Sequence, residues 1–353
     1  MEKGVRKLSG NINKLNFNNI PINWEKVNNL ILSCNHIVLT THENPDGDGL
    51  GAEVGLYYHL REIKKDVRII NYSSLPEEYK YLNKDNIFES YQVDKHDGWL
   101  ANVDLAIIFD VGDYSRTRDV KIALDRYNIN TMNIDHHPHP SKHPFTHNIV
   151  DLNAAATGCM VYDYLKVARH SAISKDSMLG IYTAVMTDTG CFKYSNTDKK
   201  SHEIAIESIQ NGIETNTIYQ NIYENSSKSR MQLLGDFLSN LNYELDGELA
   251  WFFISQEMLI NANARTYDVE GFTDIVRSIS GVEVAVMIFE KDINECRVNF
   301  RSKGKYKIND IAQTLGGGGH AFASGAMLKS NLQDTINKVV SITKNSLKMK
   351  ISY

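Results

Sequence analysis

Four short apolar runs rich in β-branched residues, separated by stretches of helical periodicity, limit what residues 36–135 can fold into. They read "HIVLT" (36–40), "DVRIIN" (66–71), "VDLAIIFDV" (103–111) and "TMNID" (131–135). Strand and helix patterns in alternation are the signature of a parallel α/β sheet. Helices are expected over 49–65, 155–168 and 176–187; the last, "DSMLGIYTAVMT", is apolar on most faces, as a buried helix is. Residues 216–242 turn polar and helical without a core strand and read as a linker. A second α/β group follows, with strands at "LAWFFIS", "VEVAVMIFE", "ECRVNFRSK" and "SGAMLK", helices near 269–279 and 307–315, and a terminal amphipathic helix. The expected domains are therefore 1–215, a helical linker 216–242, and 243–353.

The ends of the first group carry the chemistry. "THENPDGDGLGA" (41–52) sets His42, Asp46 and Asp48 directly after the first strand. Pro-Asp-Gly and Asp-Gly are common surface turns, so a solvated turn and a metal site both fit this stretch taken alone. Three further clusters weigh on the choice. "AIIFDVGD" ends an apolar strand in Asp110, "MNIDHHPHP" ends the next in Asp135, His136 and His137, and "AVMTDTG" ends a buried helix in Asp188. Open α/β sheets bind ligands outside the carboxyl ends of their strands, where these groups can converge. Four unrelated turns or caps would seldom all select carboxylate and imidazole. His139, His143 and His147 read as solvated residues of a Pro-rich loop.

The 353 residues suffice for two domains, and 42% apolar with 23% charged is ordinary globular composition. A net charge of −5 and a pI near 6.2 argue against a protein that coats long nucleic acid, while leaving room for a short anionic substrate. Cys34, Cys159, Cys191 and Cys296 form no C-x-x-C pair, and "MEKGVRKLSGNINKLNFNN" lacks the apolar core of a signal peptide, so reduced thiols in a cytoplasm are expected. No apolar run approaches the roughly 20 residues that span a bilayer.

The motifs H-x-N-P-D-G-D, strand-terminal Asp followed by G-D, D-H-H and T-D-T-G, in this order, resemble the DHH phosphoesterase superfamily. "NFRSKGKYKINDIAQTLGGGGHAFASGA" resembles its DHHA1 substrate domain. The matches span residues 36–328, and the two-domain layout is similar to the NrnA-type nanoRNases that also act on 3'-phosphoadenosine 5'-phosphate (pAp). Cys191 and Lys193 stand where many relatives carry Ser and Arg, and "DVGD" replaces D-T-S-D. The resemblance implies a doubly wound parallel-sheet DHH domain, a smaller α/β DHHA1 domain with a mixed sheet, and an active site in the cleft between them. It further implies two divalent metal ions, one held by His42, Asp46 and Asp110, the other by Asp48, Asp110, His136 and Asp188, with Asp110 bridging. Carboxylate and imidazole ligands without thiolate suit Mn²⁺ or Mg²⁺. Asp135 and Asn44 would orient ligands by hydrogen bonds, and His137 would face the scissile phosphate as acid or charge stabiliser.

In the second domain the Gly run joins a helix to a strand inside a folded region, which argues against a plain linker. Backbone N–H groups of Gly317, Gly318 and Gly319 can approach a phosphate or base, with His320 and Ser324 adding donors and Arg301 a planar fork for phosphate. Arg116 and Arg118 also lie within reach of the first domain's site but stand outside the candidate set.

The expected activity is two-metal hydrolysis of short oligoribonucleotides to mononucleotides, with removal of a phosphate from pAp. A phosphodiesterase acting on cyclic di-AMP or its linear product would use the same core, and a catalytically silent nucleotide sensor is the alternative from another class. A RecJ-type exonuclease would want an added OB-fold and a basic track. Inorganic pyrophosphatases lack the Gly-Gly-Gly-His loop. No long nucleic acid and no membrane are expected as partners, and a homodimer is left open.

Overall fold

The computed structural model describes residues 14–18, 21–139 and 143–351. Residues 1–13 of the leader, on which the signal-peptide reading largely rests, lie outside the described residues. The chain divides into two compact units between Asn225 and Ser226.

The first unit runs β1 (Asn16–Asn18), α1 (Trp24–Ser33), β2 (His36–Thr40), α2 (Gly47–Glu62), β3 (Asp66–Asn71), β4 (Phe88–Ser90), α3 (Val93–Leu100), β5 (Leu105–Phe109), α4 (Asp119–Arg126), β6 (Asn130–Asp135), β7 (His147–Val150), α5 (Thr157–Ala168), α6 (Lys175–Asp188), α7 (Lys199–Gln210) and α8 (Thr215–Tyr223). The strands form one sheet in the order β1-β7-β6-β5-β2-β3-β4, parallel at every pairing. β2 continues outward to β3 and β4, whereas β5 continues the other way to β6 and β7. The direction of winding therefore reverses between β2 and β5, the position at which open α/β sheets leave a crevice beyond their strand ends. Apolar side chains fill both faces: Ile37, Leu39 and Ile107 pack against α1, α2, α5 and α6, while Val38, Ala106 and Ile108 pack against α3 and α4.

α2 and α6 cross in backbone contact. A Cβ on Gly180 would fall 2.5 Å from Gly51 O, and one on Gly51 would strike Gly180 O. Glycine on both sides of this crossing brings the start of α2, which carries Asp48, beside the end of α6, which carries Asp188.

The second unit runs α9 (Lys228–Leu238), β8 (Asn242–Glu244), β9 (Leu249–Ile254), α10 (Gln256–Ala262), α11 (Phe272–Arg277), β10 (Val284–Asp292), β11 (Glu295–Ser302), α12 (Asn309–Thr314), β12 (Gly318–His320), β13 (Ala323–Leu328) and α13 (Leu332–Ile351). Its sheet, in the order β12-β13-β11-β10-β9-β8, is mixed, because β9 and β10 pair in parallel and the rest antiparallel. Val286, Val298 and Phe300 face α12 and α13; Phe252, Met287 and Phe289 face α9, α10 and α11. The stretch expected as a linker is two helices, with Ile218 of α8 buried in the first unit's core and Leu233 and Phe237 of α9 buried in the second's. Among the described residues no helix is long and apolar enough to cross a membrane.

Candidate metal centre

Each candidate ligand of the first unit leaves the end of a regular element. Asp46 caps the N-terminus of α2, where its Oδ1 accepts from the backbone N–H of Asp48 (3.0 Å) and Gly49 (3.3 Å). Asp48, in the first turn of the helix, is buried; its carboxylate accepts from Thr157 N (2.7 Å) and Gly158 N (2.9 Å), the otherwise unpaired amides that begin α5. Asp110 follows β5 with φ +57°, a left-handed backbone unusual for a non-glycine residue, and this turn aims its buried carboxylate back across the strand ends. His136 follows β6, and its Nδ1 lies 3.1 Å from Ala154 O. That carbonyl requires an N–H at Nδ1, so Nε2 presents a lone pair.

These side chains converge. His42 Nε2 lies 3.5 Å from Asp110 Oδ2 and 3.8 Å from Asp46 Oδ2. His136 Nε2 lies 3.6 Å from Asp48 Oδ2, 3.7 Å from Asp110 Oδ1 and 3.7 Å from Asp188 Oδ2. Two sets, His42/Asp46/Asp110 and Asp48/His136/Asp188, each bring their ligand atoms within 4.8 Å of one another, and Asp110 also stands with His136 and His137. His136 Nε2 is buried without a hydrogen bond and faces Asp110 Oδ1, which is costly unless something electrophilic lies between them.

The electrostatics point the same way. Burial, with the charges of Asp110 and Asp188 close by, raises the Asp48 carboxyl well above its ordinary range. Burial and the neighbouring Asp110 and Asp46 raise Asp188 to about 7. Burial disfavours the charged form of His42, but the Asp110 and Asp46 carboxylates outweigh it and raise the imidazole to about 10. Carboxylates crowded until they resist ionisation are the donor set that divalent cations satisfy, and the absence of thiolate favours a hard ion.

His137 lies 2.9 Å from Asp135 Oδ1 and 3.2 Å from Asp110 Oδ1 through its Nδ1. Its side chain is 32% exposed against 13% for His136, so it is the histidine of the pair that faces outward. Asp135 is fully buried and accepts from the backbone N–H of His137 (3.1 Å) as well as its ring, as an orienting residue would.

The expectation of solvated loop histidines is corrected at two positions. The His139 side chain is 1% exposed with Nε2 2.6 Å from Asp135 Oδ2, because the second oxygen of that buried carboxylate also needs a donor. His147 is buried on β7, where its Nδ1 accepts from Leu15 N at 3.1 Å. Asn44, expected to orient a ligand, is exposed, and its backbone N–H donates to Ser73 Oγ at 3.0 Å. Arg116 Nη2 lies 3.1 Å from His42 Nδ1, whereas Arg118 donates to Glu43 through Nε at 2.7 Å. Asn196, which no local motif marks, donates to Asp188 O (3.1 Å) and to Oδ2 (3.4 Å).

In the second unit, strand register sets Arg301, Ala323 and His320 in one row and Asn299, Gly325 and Gly318 in the next, each row on the face of the sheet opposite Phe300. Arg301 donates through Nη1 to Phe300 O at 3.1 Å and stands 3.6 Å from Asp274. β12 is the edge of the described sheet, so its outer backbone groups lie open to a ligand. Two of the expected donors are otherwise committed. Gly317 N–H donates to Ala312 O at 2.8 Å, and the buried Ser324 hydroxyl donates to Ile308 O at 3.2 Å. Both groups close the turn between α12 and β13.

Residues 36–187 match the DHH family, N-terminal domain, and residues 250–345 match the DHHA1 domain. The bifunctional oligoribonuclease and PAP phosphatase NrnA of Bacillus subtilis is 29% identical over 297 residues, covering 83% of this chain and 90% of its own length. The protein of the same name from Thermus thermophilus is 27% identical over 312 residues, covering 88% of this chain and 90% of its own. Among solved structures, an exopolyphosphatase-related protein from Bacteroides fragilis superposes with a TM-score of 0.84 at 26% identity, covering 92% of this chain and 95% of that one.

Proposed function

This chain belongs to the DHH/DHHA1 phosphoesterase family, and from that premise we propose that it is a metal-dependent hydrolase that degrades short oligoribonucleotides to mononucleotides and dephosphorylates pAp. The relatives named oligoribonuclease and PAP phosphatase match over nearly their full length, which supports both substrates. The observation that carries the reading is the buried His136 Nε2, which makes no hydrogen bond and faces the carboxylates of Asp48, Asp110 and Asp188 at 3.6 to 3.7 Å.

In this reading His42, Asp46 and Asp110 hold one cation, and Asp48, Asp110, His136 and Asp188 hold a second, with Mn²⁺ preferred and Mg²⁺ the alternative. Such a pair supplies Lewis acidity to phosphorus and an activated water. Thr157 and Gly158 N–H fix the Asp48 carboxylate, and Ala154 O fixes the tautomer of His136. His137, held by Asp135, offers a proton to the departing oxygen. Arg301, His320 and the edge backbone at Gly318 and Gly319 take the substrate's second phosphate or base.

The test is a product profile with purified protein and Mn²⁺ on pAp, RNAs of two to twenty nucleotides and cyclic and linear dinucleotides. The expected order at matched salt is high specificity constants for pAp and the shortest RNAs, falling with length, since the acidic chain offers few phosphate contacts to a long strand. Rates that rise with length would overturn the nanoRNase reading. Selective turnover of cyclic di-AMP would replace it with the phosphodiesterase alternative.

A further inference from the structure

We propose that the cavity between the end of α6, the turn after it and α8 is a nucleobase subsite, which seats a base of the substrate beside the metal centre. The proposal rests on the nucleotide-hydrolase reading above and adds to it a place in the first unit for the base.

The cavity holds about 400 Å³, enough for a purine with its sugar outside. Its walls include Tyr182, Phe192 and Tyr219, with Thr215, Asn216 and Gln220 among them. Aromatic faces beside hydroxyl and amide groups are what a nucleobase requires, since the ring stacks and its edge exchanges hydrogen bonds. Charge excludes the other common ligand of such an enzyme. The lining contains neither Lys nor Arg but does contain Glu224, so a phosphate is disfavoured while a neutral heterocycle is not.

The backbone ties this cavity to the catalytic ions' ligands. Asp188 ends α6, and the chain then runs through Gly190 (φ +56°), Cys191 (φ +59°) and Phe192 (φ +62°), three left-handed residues in succession. Two of the three carry a Cβ, so the turn is strained and persists because its amides are held: Cys191 N donates to Met186 O at 2.8 Å and Phe192 N to Thr189 Oγ1 at 3.1 Å. The strained turn sets Cys191 and Phe192 into the cavity wall while Asp188 points to His136. Phe192 is in turn braced by His202, stacked on it at 5.4 Å. A substrate phosphate that met a cation held by Asp188 would thus have an aromatic wall one turn of chain away. Tyr182 and Phe192 also pack in the core of the first unit, but Tyr219 does not, and a base subsite gives its exposed ring a role.

Two readouts decide the matter. The first is binding of adenosine 5'-monophosphate to the full chain in chelator, followed by calorimetry and by protection of Cys191 from alkylation. Cys191 is the half-buried cysteine, the other three being buried, so its labelling reports the cavity. The second is the kcat and KM of Tyr219→Ala and Gln220→Ala on an RNA dinucleotide and on an alkyl p-nitrophenyl phosphate. Tyr219 is 41% exposed and Gln220 is exposed as well, so neither change threatens the core.

Loss of one stacked base predicts roughly a tenfold rise in the mononucleotide Kd and in the dinucleotide KM for Tyr219→Ala, with the alkyl diester hydrolysed within about twofold of wild type. Unchanged Kd and KM in both variants, in a protein that cleaves dinucleotides, would overturn the subsite and leave the proposed function standing. If the wild type cleaves no nucleotide, the hydrolase reading fails, and the binding arm still decides: protection of Cys191 that Tyr219→Ala abolishes upholds a nucleobase site, and no protection in the wild type refutes it.

Discussion

His136 Nε2 and Asp110 Oδ1 lie 3.7 Å apart and are both buried, the nitrogen making no hydrogen bond and the oxygen standing 3.2 Å from His137 Nδ1. An imidazole lone pair facing a carboxylate oxygen is repulsive, and folding tolerates it here because Ala154 O dictates the tautomer of one and a left-handed turn dictates the direction of the other. Both restraints are local, so the backbone itself sets the directions of these two groups.

Asp110 distinguishes the metal-free protein from the metal-bound one. Asp110→Asn should abolish turnover and lower bound metal, because its carboxylate lies beside both His42 and His136. In chelator the same change removes a charge that raises Asp48 and Asp188 but also the partner that raises His42 and His137, so these opposing effects should leave the variant melting close to wild type. With saturating Mn²⁺ wild type should melt higher, since binding to the native state stabilises it more. Melting curves in both conditions, with metal quantified, check this; equal shifts in chelator and Mn²⁺ would show that Asp110 is not shared between the two sets.

A second carboxyl is buried for a different reason. Glu53 of α2 is fully buried and accepts from Asn71 Nδ2 at 2.9 Å, while Asn71 Oδ1 accepts from Thr41 N, one residue before His42. Burial raises this carboxyl to about 8 against the modest opposing pull of Asn71 and His42. A raised folded-state value means that Glu53's contribution is complete below its ordinary range near 4.5 and is lost as pH rises through about 8. Glu53→Gln keeps the acceptor and removes the titration, so its melting temperature should gain on wild type steadily from pH 5 to pH 8 and level off beyond. Parallel curves across that range would mean that the carboxyl is ionised in the folded protein.

The strands β2 and β3 coincide with their apolar runs because the parallel sheet buries every residue of both except His36, Asp66 and Arg68. The six expected ligands lie where strand ends and helix ends were legible, since their motifs are local. What stayed hidden depends on distant pairing. β1 is three residues that join β7 in parallel across more than a hundred positions, with no local signal. His139 and His147 are buried by the return of the chain from β6 to β7, which sets Asn133 opposite Asn148. The Gly run that reads as a loop includes β12, because pairing with β13, not propensity, makes it a strand.

Arg301 carries the prediction for the second unit's chemistry. Its guanidinium is tied to Phe300 O and near Asp274 but remains part-exposed on the row shared with His320. Arg301→Ala removes a charge-assisted pair of about 1.5 to 3 kcal/mol, so kcat/KM on pAp and dinucleotides should fall about 10- to 100-fold. Bound metal and hydrolysis of a small activated diester should hold. Equal losses on both substrates would mean that Arg301 acts on the metal centre and not on the nucleotide.

The glycines separate folding from recognition within one short stretch. A Cβ on Gly317 would come 2.6 Å from Ala326 Cα and strike Gly325 O, so Gly317→Ala must push β13 aside and should cost roughly 1 to 3 kcal/mol of stability. At Gly318 a Cβ meets nothing within 4 Å, and the backbone there is not left-handed, so Gly318→Ala should melt with wild type. Yet Gly318 lies on the edge strand, in the row with Asn299, where a methyl group would stand in the path of a ligand approaching the backbone. Gly318→Ala should therefore raise KM for pAp several-fold at unchanged melting temperature and unchanged kcat on the small diester. An unaltered KM would show that the substrate does not approach the backbone at this position, and would reduce the glycine run to a device for packing β12 against β13.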